Sequence, residues 1–352
     1  MTKITLHSID KSYGEVQVVK NLNLEIFDNE FLVFLGPSGC GKTTTMRMIA
    51  GLEHPTQGTI AFDGKRINEL GPQERDVAMV FQNYGLYPHM TVEQNIGYPL
   101  KLRKVPTAEY EERMLRAAKR VQMHDLLHRF PRELSGGQRQ RVALARSIVR
   151  KPQVFLMDEP LSNLDAKLRV IARAQIKHLS EELQVTTIYV THDQVEAMTL
   201  ATRVAVMSEG VIRQIGTPEE IYNNPQDTFV ASFIGSPAMN LFDVSTEASG
   251  LAILQNQNTN IMAPAQGEWT MGFRCEDVQL CDPYAASLKT EVFTFELLGD
   301  CTMATAMVDG KLLTVKAAKD CRMQSGDALH IKIDPQHVYW FDHQTGKRWR
   351  QT

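Results

Sequence analysis

The chain has 352 residues, enough for two domains of ordinary size. Its net charge of −3 and pI near 6.4 give no basic excess of the kind that marks a nucleic-acid-binding chain. Five cysteines, at 40, 275, 281, 301 and 321, form no metal-type pairs and suit a reducing cytosol better than a secreted disulfide framework. The opening MTKITLHSID lacks the apolar stretch of a signal peptide, and no run is apolar for long enough to cross a bilayer. Any membrane pathway is therefore expected on other chains. The basic KRWR at 347–350 is short and reads as a solvated tail rather than an RNA site.

Residues 1–85 are strand-rich. Tyr13 lies in the first strand region, where its ring has two readings, a half-buried packing residue or a platform for a purine. EFLVFL at 30–35 is a short apolar run suited to a buried strand. It leads into GPSGCGKT, residues 36–43, which fits G-x-x-x-x-G-K-[ST]. KTTTMRMIA at 42–50 then predicts a helix that stops at Gly51. Strand, glycine loop and helix together make a phosphate cradle: glycines let several backbone N–H groups point inward, and the helix N-terminus adds partial positive charge. Gly36, Pro37, Ser38, Gly39, Cys40, Gly41, Lys42, Thr43 and Thr44 are the expected nucleotide contacts. Lys42 is expected on the β- and γ-phosphates and the Thr43 hydroxyl on Mg²⁺. GTIAFDGKRI at 58–67 predicts a hairpin turning at Asp63-Gly64. Gln82 follows the apolar run VAMVF, within expected reach of both Mg²⁺ and an attacking water.

From about 89 to 150 the pattern turns helical. The preceding and overlapping YGLYPHMTVEQNI, 84–96, has the aromatics, proline and glycine of a shaped surface loop. TAEYEERMLRAAKRVQM, 107–123, has a threonine cap and an apolar stripe at Tyr110, Met114, Ala117/Ala118 and Val121. LSGGQRQR at 134–141 is a second glycine-rich strip, with QRQRVALARSIV predicted as the helix behind it. VFLMDEP at 154–160 runs four apolar residues into two carboxylates, as a buried parallel strand does where it ends at a ligand crevice. Asp158 is expected near the Mg²⁺ of Thr43. Glu159 points to the other side of the strand end and is the candidate for polarising water. His192, after the strand TTIYV, is the candidate donor to a γ-phosphate oxygen. Taken singly, Gln82 and His192 are equally ordinary solvated or structural residues.

Tyr13, GPSGCGKT, Gln82, LSGGQRQR, VFLMDEP, SNLD at 162–165 and His192 stand in the order and spacing of an ABC-transporter ATP-binding subunit, which residues 1–235 resemble throughout. The resemblance implies a P-loop NTPase of the α/β class, with a RecA-like core, an antiparallel β subdomain and a helical subdomain at about 89–150. It implies ATP and Mg²⁺ as ligands, with Thr43, Gln82 and Asp158 around the metal. Ser135, Gly136, Gly137 and Gln138 would contact the γ-phosphate held by a second copy. Asp165 would lie in the loop that crosses the dimer interface, Glu159 would be the catalytic glutamate and His192 the switch histidine. It also implies that residues about 84–96, with Tyr84, Leu86, Tyr87, Pro88 and His89 as the favoured contacts, grip two transmembrane permease subunits served by an extracytoplasmic solute-binding protein. The chain itself would then sit peripherally on the cytoplasmic face of the membrane, without nucleic acid. Thr202 stands where relatives usually have aspartate, away from the phosphate contacts.

Residues 236–352 change character: short strands and turns at Gly299-Asp300, Asp309-Gly310 and Gly326-Asp327 predict a small all-β barrel. MGFRCEDVQL at 271–280 resembles an element of the OB-like accessory domain of some importer ATPases, with Phe273 and Cys275 replacing the usual isoleucine and proline. FIGSPAMN and WFDHQTGKRW resemble the carbohydrate and glycerol-phosphate branch. Polyamine, iron and sulfate or molybdate importers share the architecture, and soluble ABC ATPases outside transport are the alternative of another class.

Overall fold

The structure, a computed structural model, describes residues 3–246 and 248–350. The chain divides into two compact units, 1–219 and 220–352.

In the first unit, β1 (Ile4–Tyr13) and β2 (Val16–Ile26) form an antiparallel pair. The buried strand β3 (Phe31–Leu35) leads through the glycine loop into α1 (Lys42–Ala50). The helix ends where expected, because Gly51 takes φ +77 and returns its N–H to the last turn. β4 (Gln57–Phe62) and β5 (Lys65–Arg66) make the expected hairpin: Asp63 and Gly64, at φ +48 and +76, supply the two left-handed residues of a tight turn. β6 (Val77–Val80) precedes the helical segment α2 (Val92–Leu102), α3 (Thr107–Arg120) and α4 (Gly136–Ile148). α3 buries Met114, Ala117 and Ala118 as its stripe requires. Its N-cap is Pro106 rather than a threonine side chain, and it stops at Arg120, short of Gln122 at φ +57.

β7 (Val154–Asp158), α5 (Ala166–Leu183), β8 (Thr186–Thr191), α6 (Gln194–Leu200), β9 (Arg203–Ser208) and β10 (Val211–Gly216) complete this unit. One sheet runs β2-β1-β4-β5 and the other β10-β9-β3-β8-β7-β6. In the second, β9, β3, β8, β7 and β6 are parallel, so their C-terminal ends lie along one edge. β8 sits between β3 and β7. The loops after all three strands therefore converge, at the crevice where open α/β sheets bind ligands. Thr202, which stands where relatives usually have aspartate, anchors β3: its hydroxyl accepts from Phe31 N–H at 3.0 Å and donates to Phe31 C=O at 3.1 Å.

The division falls within α7 (Pro218–Asn223), and α8 (Thr228–Phe233) lies in the second unit. The division falls before the expected 235 because α8 and the residues around it are bound into the β unit. Arg274, 2% exposed, donates to the carbonyls of Tyr222, Ala231 and Ile234 and stacks over the Tyr222 ring. Strands β11 (Asn240–Thr246), β12 (Leu251–Leu254), β13 (Gln257–Met262), β14 (Glu268–Phe273) and β21 (Tyr339–Asp342) form one antiparallel sheet. Two three-stranded sheets comprise β15 (Val278–Leu280), β16 (Leu288–Glu291) and β20 (Ala328–Ile333), and β17 (Thr294–Leu297), β18 (Cys301–Val308) and β19 (Lys311–Ala318). All three sheets contribute to a single core that includes Phe242, Phe273, Ala304, Val315 and Ile331, as in a small all-β barrel. Cys275 is buried against Glu276, and burial, helped by that hydrogen bond, pushes its thiol up to about 12. The KRWR segment is not a solvated tail: Arg348 bridges to Phe341 and stacks over Tyr339, and Trp349 meets Trp269 edge-on.

Candidate functional site

The glycine loop leaves β3 at Gly36, where a side chain has no room: a Cβ would meet the Met207 carbonyl at 2.2 Å. Gly39 and Gly41 take φ +79 and +101, the left-handed conformations that turn successive N–H groups to one side. α1 opens without a side-chain cap, so its first-turn amides have no acceptor within the helix. Lys42 is 5% exposed and lies under this loop, its Nζ donating to Gly36 and Pro37 carbonyls at 2.8 Å each. The concavity thus combines free amides, a helix N-terminus and an ammonium, the chemistry of a polyphosphate site.

At the adjoining strand end, Thr43 Oγ1 donates to Asp158 Oδ1 at 2.9 Å across 115 residues. Burial raises the Asp158 carboxyl; the Thr43 hydrogen bond opposes this and the charge of Glu159 adds to it. Glu159 has φ +43, a strained conformation for glutamate, held by its N–H to Val190 C=O at 3.0 Å and by Ser162 Oγ donating to its carbonyl at 2.9 Å. The turn swings its carboxylate to His192, Oε1 to Nδ1 at 3.2 Å. Gln82 is exposed, and its carbonyl accepts from Asn163 Nδ2 at 2.9 Å. Asp158, Glu159, His192 and Gln82 thus come from the C-terminal ends of β7, β8 and β6. Thr43 and Asp158 place a hydroxyl and a carboxylate oxygen together, and Gln82 supplies an amide oxygen; all are hard donors that fit Mg²⁺. Among the described residues no cluster of three His, Cys, Asp or Glu side chains would hold a metal. Mg²⁺ needs none, since it is commonly held by one carboxylate with waters and substrate phosphates.

The second glycine strip caps α4. Ser135 Oγ accepts from Gln138 N–H at 3.3 Å while Gln138 Oε1 accepts from Ser135 N–H at 2.8 Å, a reciprocal capping box. Gly136 and Gly137 approach Leu164 and Leu168, to which added methyls would come within 3.3 and 3.8 Å. The strip therefore abuts the segment that carries Asp165, which caps α5 by accepting from Leu168 N–H at 2.9 Å. Tyr13, 45% exposed, has Lys11 Nζ 4.6 Å from its ring centre and pairs in register with Val16, 66% exposed. Val16 is not among the residues singled out in the sequence, although with Tyr13 it places two large exposed apolar side chains at the ends of the Gly14–Glu15 turn.

The 84–96 segment differs from expectation at its first residue. Tyr84, at φ +65, turns its ring inward and is 6% exposed, so it supports the surface rather than forming it. Leu86 is half-buried, whereas Tyr87, Pro88 and His89 are exposed. Asn95, fully buried in α2, holds this loop: its side chain accepts from Tyr87 N–H and donates to the carbonyls of Tyr87, Met90 and Thr91. Arg146 of α4 donates to the Tyr84 and Gly85 carbonyls and lies 5.4 Å from the Tyr87 ring centre. Behind His192, Tyr189 and Thr191 donate to buried Glu196 at 2.8 and 2.7 Å. Burial raises that carboxyl despite both hydrogen bonds. None of these supports was visible as a motif; a lone asparagine or glutamate in an apolar helix face is their faint trace.

The family model described as ABC transporter matches residues 19–162. The sn-glycerol-3-phosphate import ATP-binding protein of Cereibacter sphaeroides is 48% identical over 349 residues, 99% of this chain and 100% of that protein. The trehalose/maltose import ATP-binding protein of Thermococcus litoralis is 47% identical over 369 residues, covering 99% of each. Among solved structures, a dimeric post-hydrolysis state of an ATP-binding cassette bound to ADP and Pi is 32% identical, with a TM-score of 0.56, over 61% of this chain and 98% of that one. No helix among the described residues is long and apolar enough to cross a membrane.

Proposed function

The chain belongs to the family of ABC-transporter ATP-binding subunits, those that hydrolyse ATP to drive import, and on that premise we propose that it works as a head-to-tail homodimer with two shared ATP sites. The Gly36–Thr44 loop of one copy cradles the phosphates, and Ser135, Gly136, Gly137 and Gln138 of the other close over the γ-phosphate. Tyr13 stacks on the adenine, with Val16 beside it. Thr43, Asp158 and Gln82 would hold Mg²⁺, which would supply positive charge to offset the charge developing on the phosphate oxygens. Lys42 adds its ammonium to the same oxygens. Glu159 accepts a hydrogen bond from the attacking water, and His192, oriented by Glu159, donates to a γ-phosphate oxygen. Displacement is in line, with positioning and electrostatics supplying most of the rate. Asp165 lies where the two copies meet.

The observation that carries this reading is the Glu159–His192 contact of 3.2 Å standing beside the Thr43–Asp158 bond of 2.9 Å. It supports reading Thr43–Asp158 as the metal-side pair and Glu159–His192 as the water-side pair. In each copy the surface of Leu86, Tyr87, Pro88 and His89 receives a cytoplasmic helix of one of two permease subunits, so the chain is peripheral at the inner face of the membrane. The imported solute, bound first by an extracytoplasmic protein, is a glycerol phosphate or a carbohydrate. Full-length likeness to importers of both kinds favours them over polyamine, iron or oxyanion cargo. Reconstitution with the cognate permease and binding protein tests this: sn-glycerol 3-phosphate, maltose or trehalose should accelerate ATP hydrolysis and enter the vesicles. ATP hydrolysis stimulated by single-stranded nucleic acid, with no permease captured, would overturn it.

A further inference from the structure

The loop carrying Asp165 and the loop carrying His192 are joined by one side chain. Arg169, in the first turn of α5, donates from Nη2 to the Leu164 carbonyl at 3.2 Å and from Nη1 to Asp193 Oδ2 at 3.3 Å. Leu164 immediately precedes Asp165, and Asp193 immediately follows His192. We propose that Arg169 is a positioning residue that couples the dimer-interface loop to the histidine at the γ-phosphate. The inference rests on the roles assigned above to Asp165 and His192.

Both ends of this link are tied down. Asp193 is the N-cap of α6, its Oδ1 accepting from Val195 and Glu196 N–H at 2.8 and 3.1 Å, which leaves Oδ2 for Arg169. Its own N–H donates to Thr191 Oγ1 at 2.9 Å, and that hydroxyl donates to buried Glu196 at 2.7 Å. The neighbours of His192 on both sides are therefore fixed, while His192 itself is 57% exposed and leans on Glu159. At the other end, Ser162 donates to the Glu159 carbonyl and Asn163 to the Gln82 carbonyl. The 162–165 segment thus touches the backbone at Glu159 and Gln82 directly, and reaches the histidine loop through Arg169. A shift of Asp165 when a partner copy arrives moves the Leu164 carbonyl, and the planar guanidinium passes that displacement to Asp193. A lysine ammonium is a point charge on a flexible stem and does not hold two acceptors in a fixed fork.

The test uses the full chain and four variants, Arg169→Gln, Arg169→Lys, Asp193→Asn and the double Arg169→Gln/Asp193→Asn; asparagine retains the α6 cap. Turnover is measured against ATP concentration, and thermal midpoints are recorded alongside. We expect Arg169→Gln and Asp193→Asn each to lower kcat about tenfold with KM for ATP changed less than about twofold. The double variant should fall no further than the worse single, Arg169→Lys should not restore turnover, and sigmoidal dependence on ATP should flatten. Thermal midpoints should barely move, because the pair is 33% and 24% exposed. Normal turnover in Arg169→Gln, losses that multiply in the double variant, or losses that track a falling midpoint would overturn the coupling. Glu159→Gln is the control for the underlying reading. If it fails to dimerise with ATP, the shared site itself is wrong; if it dimerises while Arg169→Gln turns over normally, the coupling alone is.

Discussion

Replacing Asp158 by asparagine should make the nucleotide-free protein more stable while abolishing its Mg²⁺-dependent ATPase. The carboxylate sits at the end of a buried strand beside a second carboxylate. Burial raises its carboxyl, the Thr43 hydrogen bond offsets part of that, Glu159 raises it again, and the positive charges of Arg47 and Lys42 oppose the rise. Asparagine keeps an oxygen able to accept from Thr43 Oγ1 at the observed 2.9 Å and removes the charge. Relieving one unfavourable active-site charge is worth about 1 kcal/mol. For a unit of 219 residues that corresponds to a Tm higher by about 2–4 °C.

The pH dependence gives the sharper test. A carboxyl raised in the folded state binds protons more readily there than in the unfolded chain. Wild-type stability therefore declines, through this group, as pH rises from its usual 3.8 to its raised folded value, and the loss is complete above that. The stability gap in favour of Asp158→Asn should be nearly absent around pH 4 and fully open at neutral pH. Adding Mg²⁺ and a non-hydrolysable ATP analogue should reverse the order, since a ligand at about 100 times its Kd adds about 2.7 kcal/mol to the chain that binds it. Differential scanning fluorimetry across pH, with and without the analogue, measures both effects. An asparagine variant less stable than wild type at neutral pH without nucleotide would refute the reasoning, because the carboxylate would then be favourably solvated where it stands.

Glu159→Gln should lower turnover by about 100-fold or more yet accumulate an ATP-bound dimer, visible by size-exclusion chromatography with multi-angle scattering. A fully active variant removes Glu159 from the water-polarising role. Lys42→Ala and Ser135→Arg should each disable both sites of a homodimer, while a mixed dimer gathers both lesions into one composite site and keeps the other. ATPase measured over a titration of the two folded variants should therefore rise above either alone, and a flat titration contradicts the shared geometry. Asn95→Ala leaves the N–H of Tyr87 and the carbonyl of Met90 without their side-chain partner, while the carbonyls of Tyr87 and Thr91 lose one bond each but keep the backbone N–H of Met90 and of residue 95. It should cost about 2–3 kcal/mol and roughly 5–10 °C in midpoint. Permease-stimulated ATPase should fall more than basal ATPase, and an equal fall in both would argue that the 84–96 surface is not the coupling surface.

What could be read in the chain was whatever is local. Gly36 to Thr43 declares its conformation through glycine spacing and the apolar strand before it. Asp63-Gly64 declares a turn, and the stripe on α3 declares which face is buried. Strand order was illegible, because β8 takes its place between β3 and β7 by pairing Thr187 with the distant Phe31 as well as Thr186 with the nearer Val154. Tyr84 was misjudged for a related reason. An aromatic in a proline- and glycine-rich loop reads as exposed until the backbone is known to adopt φ +65, with its carbonyl held by Arg146, 62 residues away. The KRWR segment failed likewise: its charges suggested solvent, whereas Arg348 and Trp349 are drawn onto the strand at Tyr339–Asp342.

Three of the bonds that tie the candidate site together meet in residues 158–169. Asp158 binds Thr43 at a separation of 115 residues, Asn163 reaches Gln82 at 81 and Arg169 reaches Asp193 at 24. Between them stands Glu159 in a left-handed conformation that a glutamate does not adopt without support. Its amide is held by Val190 and its carbonyl by Ser162, so the strain is distributed over β8 and the 162–165 segment rather than borne by the residue alone. A carboxylate proposed to face water on one side, and seen to meet a histidine on the other, benefits from such over-determination, because its direction is then set by the sheet. The same ties make that direction responsive to displacement of the Asp165 loop. A site assembled this way is rigid while the loop is fixed and adjustable when the loop moves, which is the property a nucleotide site completed by a second copy requires.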